Sequence, residues 1–105
     1  MTADEAGAAR AADRLPDAAV PKLSRGVRLR FDEARGTHML LAPERALKLD
    51  PIAAAILGEI DGVRSFSAIV DGLADKYSAP REQIAADARR LVVDLMDKRM
   101  MEVSS

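Results

Sequence analysis

Three segments in the first half of the chain alternate between apolar and polar residues with the two-residue period of a half-buried strand. They cover residues 27–31, 37–42 and 45–49. A glycine-containing turn joins the first two segments, and the Pro43-Glu44 turn joins the second to the third. This order predicts a three-stranded antiparallel meander with 37–42 in the middle and 45–49 at one edge.

The second half of the chain carries apolar residues at helical spacing and predicts three helices. Their predicted bounds are 51–60, 66–77 and 80–99, with Asp50-Pro51 as an N-cap and first-turn proline. The apolar stripes comprise Ile52, Ile56, Leu57 and Ile60 in the first helix, Phe66, Ile69, Val70 and Leu73 in the second, and Ile84, Ala88, Leu91, Val92 and Leu95 in the third. Strands followed by helices predict an α+β fold in which the helices cover one sheet face.

Residues 1–20 differ from the rest of the chain, because they are rich in alanine and contain only Leu15 and Val20 as large apolar residues. Such a segment buries too little apolar surface to offset the entropy that ordering costs. We therefore expect a disordered tail or linker over 1–20 and a folded domain over 21–105. We also expect deletion of the tail to leave fold and binding nearly unchanged.

Composition restricts the classes of function. The 105 residues suffice for one domain, and aliphatic side chains must build its core because only 3% of residues are aromatic. A formal charge of -1 gives no electrostatic footprint for nucleic acid or an anionic membrane. The sequence has no cysteine, no apolar run near the roughly 18 residues of a membrane helix and no apolar signal core, so we expect a cytoplasmic protein.

The sequence offers little catalytic material. His38 is the one histidine, and without cysteine or a second histidine it has no partners for a zinc site. Asp87, Asp94 and Asp97 fall on the third predicted helix among basic neighbours, which is typical of a solvated, ion-paired surface. No glycine-rich loop is present to hold a phosphate. We therefore expect no catalytic, metal-binding or cofactor-binding residues.

The predicted edge strand is the feature that favours a function. Its unpaired N–H and C=O groups can accept an extended peptide as an added strand. If the third helix stands beside this edge, Val93 and Met96 flank its stripe and line a groove, while Leu91 and Leu95 stay in the core. The sequence does not fix which residues of 45–49 direct their N–H groups to the open side.

Two alternatives belong to other classes. The helix-turn-helix order of the first two helices is also typical of a winged-helix DNA-binding domain. Acidic residues on these helices argue against it, because they would repel phosphates. A small acid/base enzyme using the aspartates of the third helix would need a concave site with shifted pKa values. Arg28 and Arg30 lie on the wet side of the first strand and are typical of ordinary solvation.

Over residues 21–103 the chain resembles the pyrroloquinoline quinone (PQQ) biosynthesis protein D family, PqqD. The matching features are the segment PKLSRGVRLRFDEARGTHMLLAPERALKLD, the helix that carries Ile56-Leu57 and ends at Asp61-Gly62, and the closing helix over 84–95. The strongest of them are the Ala42-Pro43-Glu44 turn and the step from helix to Asp-Gly. Their order and spacing carry the resemblance.

The resemblance implies a winged-helix-like peptide chaperone without catalytic residues or cofactor. Family members bind the leader of a small precursor peptide and present it to a radical S-adenosylmethionine enzyme, which crosslinks a glutamate and a tyrosine of the peptide. The leader adds antiparallel to the third strand, against the third helix. The family also occurs fused to a pathway partner, which would make residues 1–20 an interdomain linker. The expected peptide-binding residues are Arg45, Ala46, Leu47, Lys48, Leu49, Arg89, Val93 and Met96.

Overall fold

Strands and helices follow one another in the predicted order, with one further strand before them and one after them. A computed structural model describes residues 14–104. Its elements are β1 (Val20–Leu23), β2 (Arg28–Asp32), β3 (Thr37–Ala42), β4 (Arg45–Lys48), α1 (Pro51–Gly58), α2 (Phe66–Tyr77), α3 (Arg81–Asp97) and β5 (Met101–Ser104). These elements confirm the predicted α+β class.

Strands β2, β3 and β4 form the predicted antiparallel sheet with β3 in the middle. The cross-strand row Leu29–Leu40–Leu47 packs against the core. Phe31 was expected on the same inner face, but it is 49% exposed. Its ring packs against His38, with 4.9 Å between the ring centroids.

The first two helices begin at side-chain caps. The Asp50 carboxylate accepts a hydrogen bond from the Ala53 N–H at 2.7 Å, and the Ser65 hydroxyl accepts one from the Ala68 N–H at 3.1 Å. Helix α2 has its predicted bounds, whereas α1 ends two residues before the predicted residue 60. Ile52, expected on the buried side of α1, is 64% exposed because it lies at an open cleft between α1 and α3.

Helix α3 begins one residue after its predicted start and ends two before its predicted end. The chain leaves it through Arg99, whose φ of 60° is left-handed, and the Met100 N–H donates to the Leu95 carbonyl at 2.8 Å. This turn directs the chain into β5. As predicted, Leu95 is buried, whereas Leu91 was expected in the core and is only half-buried.

Strands β1 and β5 pair in an antiparallel ribbon that the sequence pattern did not predict. Each strand has four residues, and Pro21 in β1 weakens the strand signal. The ribbon is stabilised by burial, since Met100 and Met101 both belong to the core cluster. None of the helices between residues 14 and 104 combines the length and hydrophobicity that a membrane-spanning segment needs.

Residues 14–19, which we call the N-terminal segment, pack onto the domain, and this corrects the prediction of a tail over 1–20. Leu15 is 0% exposed and Ala19 is 2% exposed, both within the core cluster. The first two N–H groups of α2 also find acceptors in this segment, since Phe66 donates to the Ala19 carbonyl at 2.7 Å and Ser67 to the Asp17 carbonyl at 2.9 Å. The folded unit therefore includes residues 14–20. The prediction for residues 1–13 lies outside the described residues.

Candidate functional site

The free side of β4 forms one edge of the sheet, and the hydrogen-bond pattern fixes which of its amides point outward. Ala42 pairs with Arg45 across a two-residue turn, so these residues form a hydrogen-bonded pair. The Leu49 N–H donates to the His38 carbonyl at 3.0 Å, although β4 itself ends at Lys48. Both observations show that the backbone N–H and C=O groups of Arg45, Leu47 and Leu49 point towards β3.

Ala46 and Lys48 therefore direct their backbone N–H and C=O groups to the open side of β4. Their side chains are exposed on the sheet face that points away from the helices. Leu47 is half-buried on the opposite face, and Leu49 is buried in the core. An added strand can thus form hydrogen bonds with two residues of this edge without disturbing the ladder to β3.

A cleft of about 270 Å³ lies between α1 and α3, next to the point where β4 leads into α1. We call it the α1–α3 cleft. Its lining residues are Asp50, Ile52, Ala53, Ile56, Asp87, Arg90 and Leu91. A second, largely apolar cleft of about 460 Å³ shares Ile52, Ile56 and Asp87 with it and continues towards α2. Together they form a groove whose apolar walls are supplied by α1 and α3.

The charged groups of the α1–α3 cleft are of both signs. The Asp50 carboxylate is held by its cap to α1, and Asp87 accepts hydrogen bonds from the Gln83 amide at 3.2 Å. Arg90 is exposed and forms no ion pair within residues 14–104. The cleft therefore offers apolar surface together with a guanidinium group that is free for a ligand carboxylate.

The α3 residues that were expected to bind the peptide, Arg89, Val93 and Met96, do not line the α1–α3 cleft. The Arg89 guanidinium donates to the Asp17 carboxylate at 2.7 Å and to the Leu15 carbonyl at 3.2 Å. Two helical turns further on, Asp97 pairs with Arg14 at 2.7 Å. The N-terminal segment therefore runs along this row of α3.

Val93 lies between Arg89 and Asp97 in that row, at four-residue spacing, and Met96 lies on the same side of the helix. Both are half-buried and pack against the core. Arg89 thus contacts the N-terminal segment, and the expected contribution of Val93 and Met96 to a groove beside β4 stays a prediction. The flank beside α1 carries Asp87, Arg90 and Leu91, which the sequence pattern had not singled out for binding.

The carboxyl group with the largest pKa change lies away from the groove, in the loop after α1. Hydrogen bonds from the backbone N–H groups of Arg64 and Val63, and then from the Arg64 side chain, lower the pKa of Asp61 to about 2. The lowered pKa reflects a structural role of Asp61 in the loop, because all of its hydrogen-bond partners belong to the same loop. Residues 14–104 contain no cluster of histidine, cysteine and acidic residues suited to a metal ion.

An antiparallel sheet with an open edge, three helices and an apolar groove beside that edge defines a small α+β domain of a peptide-recognition type. The family model described as coenzyme PQQ synthesis protein D (PqqD) matches residues 37–101. The PqqA binding protein of Rhizobium meliloti is 45% identical over 103 residues, which are 98% of this chain and 98% of that protein. The chain therefore belongs to the PqqD family.

Two further similarities extend this result. The solution structure of the PqqD truncation of Methylobacterium extorquens PqqCD, a functional and stand-alone recognition element for ribosomally synthesised and modified peptides, matches with a TM-score of 0.70 and 47% identity. The match covers 79% of this chain and 88% of that one. The bifunctional coenzyme PQQ synthesis protein C/D of Methylorubrum extorquens is 47% identical over 79% of this chain and 22% of its own length.

Proposed function

We propose that this chain is an adaptor of PQQ biosynthesis that binds the precursor peptide PqqA as a strand added to β4. The observation that carries the proposal is the pair of outward-facing residues, Ala46 and Lys48, beside an apolar groove. The names of its relatives support the ligand, since several are PqqA binding proteins and one is a peptide-recognition element.

The bound strand would continue the sheet, and its side chains would alternate between the two faces. Those on the helix side would enter the α1–α3 cleft, where Ile52, Ile56 and Leu91 offer apolar contact. An acidic peptide side chain would pair with Arg90. We therefore assign the α3 contribution to Asp87, Arg90 and Leu91, because the N-terminal segment occupies the side of Arg89.

We further propose that the chain presents this peptide to a radical S-adenosylmethionine enzyme and performs no chemistry itself. The relatives' names describe binding and recognition, and one relative carries the domain within a larger bifunctional synthesis protein. A domain that occurs both alone and fused to a pathway protein suits a presenting role. Catalysis would then belong to the enzyme that receives the peptide.

Amide hydrogen exchange with and without synthetic PqqA tests the mode of binding. We expect the amides of Ala46 and Lys48 to gain protection, because they have no partner in the sheet until the peptide adds. The matched control is the other sheet edge, where the same alternation leaves the amides of Leu29 and Phe31 outward-facing. Protection confined to β2, or absent from both edges, would contradict strand addition at β4.

A further inference from the structure

The N-terminal segment connects the start of α2 to residues of α3 that do not line the α1–α3 cleft. Both connections meet at Asp17. Its carbonyl accepts a hydrogen bond from the Ser67 N–H of α2 at 2.9 Å, and its carboxylate accepts one from the Arg89 guanidinium of α3 at 2.7 Å. Neither Asp17 nor Arg89 lines the cleft. A single residue of the segment therefore links the two helices.

Arg89 contacts α2 as well as the segment. Its guanidinium donates to the Leu15 carbonyl at 3.2 Å and lies 4.6 Å from the centroid of the Phe66 ring. Phe66 is the first residue of α2 and is only 2% exposed. The side chain of Arg89 is itself only 18% exposed, so solvent screens its ion pair with Asp17 less than it screens an ordinary surface pair.

The contact between the segment and α3 continues to the end of that helix. Arg14 pairs with Asp97, the last residue of α3, at 2.7 Å. After the segment the chain enters β1, and β1 pairs with β5, the strand that follows α3. Leu15 is buried in the core between these contacts. The segment is therefore fixed at both of its ends to structure that belongs to α3 or follows it.

The position of α3 relative to α1 depends on contacts of this kind. Helix α3 packs mainly against α2 and β5 and less against α1, because the α1–α3 cleft lies between α1 and α3. Direct packing between the two walls of the cleft is therefore slight. The width of the cleft depends instead on the contacts that hold α3 against α2 and β5, and the N-terminal segment supplies part of them.

We propose that the N-terminal segment positions α3 for peptide binding and that Arg89 is the positioning residue of this contact. A docked segment restricts α3 before the peptide arrives, so binding at Arg90 and Leu91 loses less conformational entropy. By linkage, peptide binding then stabilises the docked segment in return. This inference rests on the proposed function, and it differs from the expectation that residues 1–20 are dispensable for binding.

A double-variant cycle over Asp17→Ala and Arg89→Ala distinguishes this positioning role from direct contact between Arg89 and the peptide. We expect each single variant to bind synthetic PqqA at least about fivefold more weakly in calorimetric titrations, the lower end of the usual range for coupled sites. The double variant should bind about as weakly as the weaker single variant, because both changes remove the same contact. Direct contact would instead leave Asp17→Ala at the wild-type affinity.

Asp94→Ala is the matched control for Asp17→Ala. It also removes one exposed carboxylate from an ion pair with α3, since Asp94 pairs with Lys98 of the same helical end, but it leaves the N-terminal segment untouched. The control should keep the wild-type affinity for PqqA. Thermal melts select a temperature at which every variant is folded, and the titrations are made there. A merely structural contact would lower the melting temperature and leave this affinity unchanged.

Amide hydrogen exchange of the wild-type protein measures the reverse direction of the coupling without any variant. Phe66 and Ser67 donate their N–H groups to the segment, and neither residue lines the groove. We expect added PqqA to slow exchange at these two amides. The control amides are those of Val63 and Arg64, which Asp61 holds within its own loop, and they should gain less protection.

Wild-type affinity in Asp17→Ala would overturn the proposal, and so would an equal loss in Asp94→Ala. Protection at Phe66 and Ser67 that is no greater than at the control amides would overturn it as well. If the wild-type protein binds PqqA, each of these results contradicts the positioning role alone. Failure of the wild-type protein to bind PqqA contradicts the proposed function, and the positioning role with it.

Discussion

At the scale of single residues, Asp61 shows how one carboxylate fixes a loop. It accepts hydrogen bonds from the N–H groups of Val63 at 2.9 Å and Arg64 at 3.0 Å, and from the Arg64 guanidinium at 3.0 Å. The same guanidinium donates to Glu59 at 3.1 Å, and these two acidic partners raise the pKa of Arg64. The loop that sets the angle between α1 and α2 is thus tied by one ionised side chain.

Asp61→Asn should lower the melting temperature at neutral pH and have a much smaller effect near pH 2. The folded pKa of about 2 lies below the ordinary value of 3.8, so the stabilisation is present above about pH 4 and is lost as the pH falls towards 2. Thermal melts of both proteins at pH 7 and pH 2 measure this difference. An equal difference in melting temperature between the two proteins at both pH values would show that the charge of Asp61 does not stabilise the loop.

The burial of Leu15 and Leu91 differs from what the sequence pattern predicts. Leu15 is fully buried although a tail was predicted, and Leu91 is half-buried although it was predicted in the core. Truncating the fully buried Leu15 to alanine should cost about 2–5 kcal/mol of unfolding free energy, the usual range for a buried leucine. Leu91→Ala should cost less stability and more peptide affinity, because Leu91 is half-buried and lines the α1–α3 cleft. Chemical denaturation measures the unfolding free energy, and calorimetric titration with synthetic PqqA measures the peptide affinity. The reverse ranking would mean that the N-terminal segment does not anchor the fold and that the cleft does not bind the peptide.

The case of Leu15 also shows why its burial could not be predicted. It is one large residue in an alanine-rich stretch, and its segment is held by contacts such as the hydrogen bond between its carbonyl and Arg89, 74 residues away. Local pattern contains no information about such pairs.

At the scale of elements, sequence pattern predicted the sheet order and the three helices, but it did not identify which flank of α3 lines the α1–α3 cleft. The apolar stripe of a helix identifies its buried side, yet both flanks of the stripe look alike in a sequence. Arg89, Val93 and Met96 lie on one flank, and Asp87, Arg90 and Leu91 lie on the other. Tertiary packing decides which flank meets α1, and the N-terminal segment occupies the first.

The β1–β5 ribbon closes the domain at the element scale and should be needed for stability. Deleting residues 101–105 removes the buried Met101 side chain and all four residue pairs with β1. We expect a loss of at least about 2 kcal/mol in unfolding free energy, which lowers the melting temperature by roughly 10 °C in a domain of this size. Glu102→Ala is the matched control, since its side chain is exposed and its backbone still pairs. A deletion variant as stable as this control would contradict a structural role for β5.

At the scale of the whole molecule, the inner face and the open edge of one small sheet have different roles. The inner face supports the core, and the edge of β4 is proposed to bind the peptide. The local periodicity of residues 27–49 was enough to predict the three-stranded sheet, because a two-residue alternation indicates both the strands and their inward side. The surfaces beside the edge required the packed structure.

The central claim is that the peptide adds to the open side of β4, and Lys48→Pro tests it most directly. Proline removes the outward N–H of Lys48 and leaves the ladder to β3 intact, because Leu47 and Leu49 form that ladder. Lys48→Ala is the matched control, since it loses the same side chain but retains the N–H. Both variants should melt within a few degrees of each other, whereas Leu47→Pro should lose stability itself.

In calorimetric titrations with synthetic PqqA, Lys48→Pro should bind at least about tenfold more weakly than Lys48→Ala. One hydrogen bond contributes about 0.5–1.5 kcal/mol, and about 1.4 kcal/mol is tenfold in affinity, with the proline ring adding a steric penalty at the edge. We expect this difference between two variants that are both folded. Equal affinity of Lys48→Pro and Lys48→Ala for the peptide would contradict strand addition at β4.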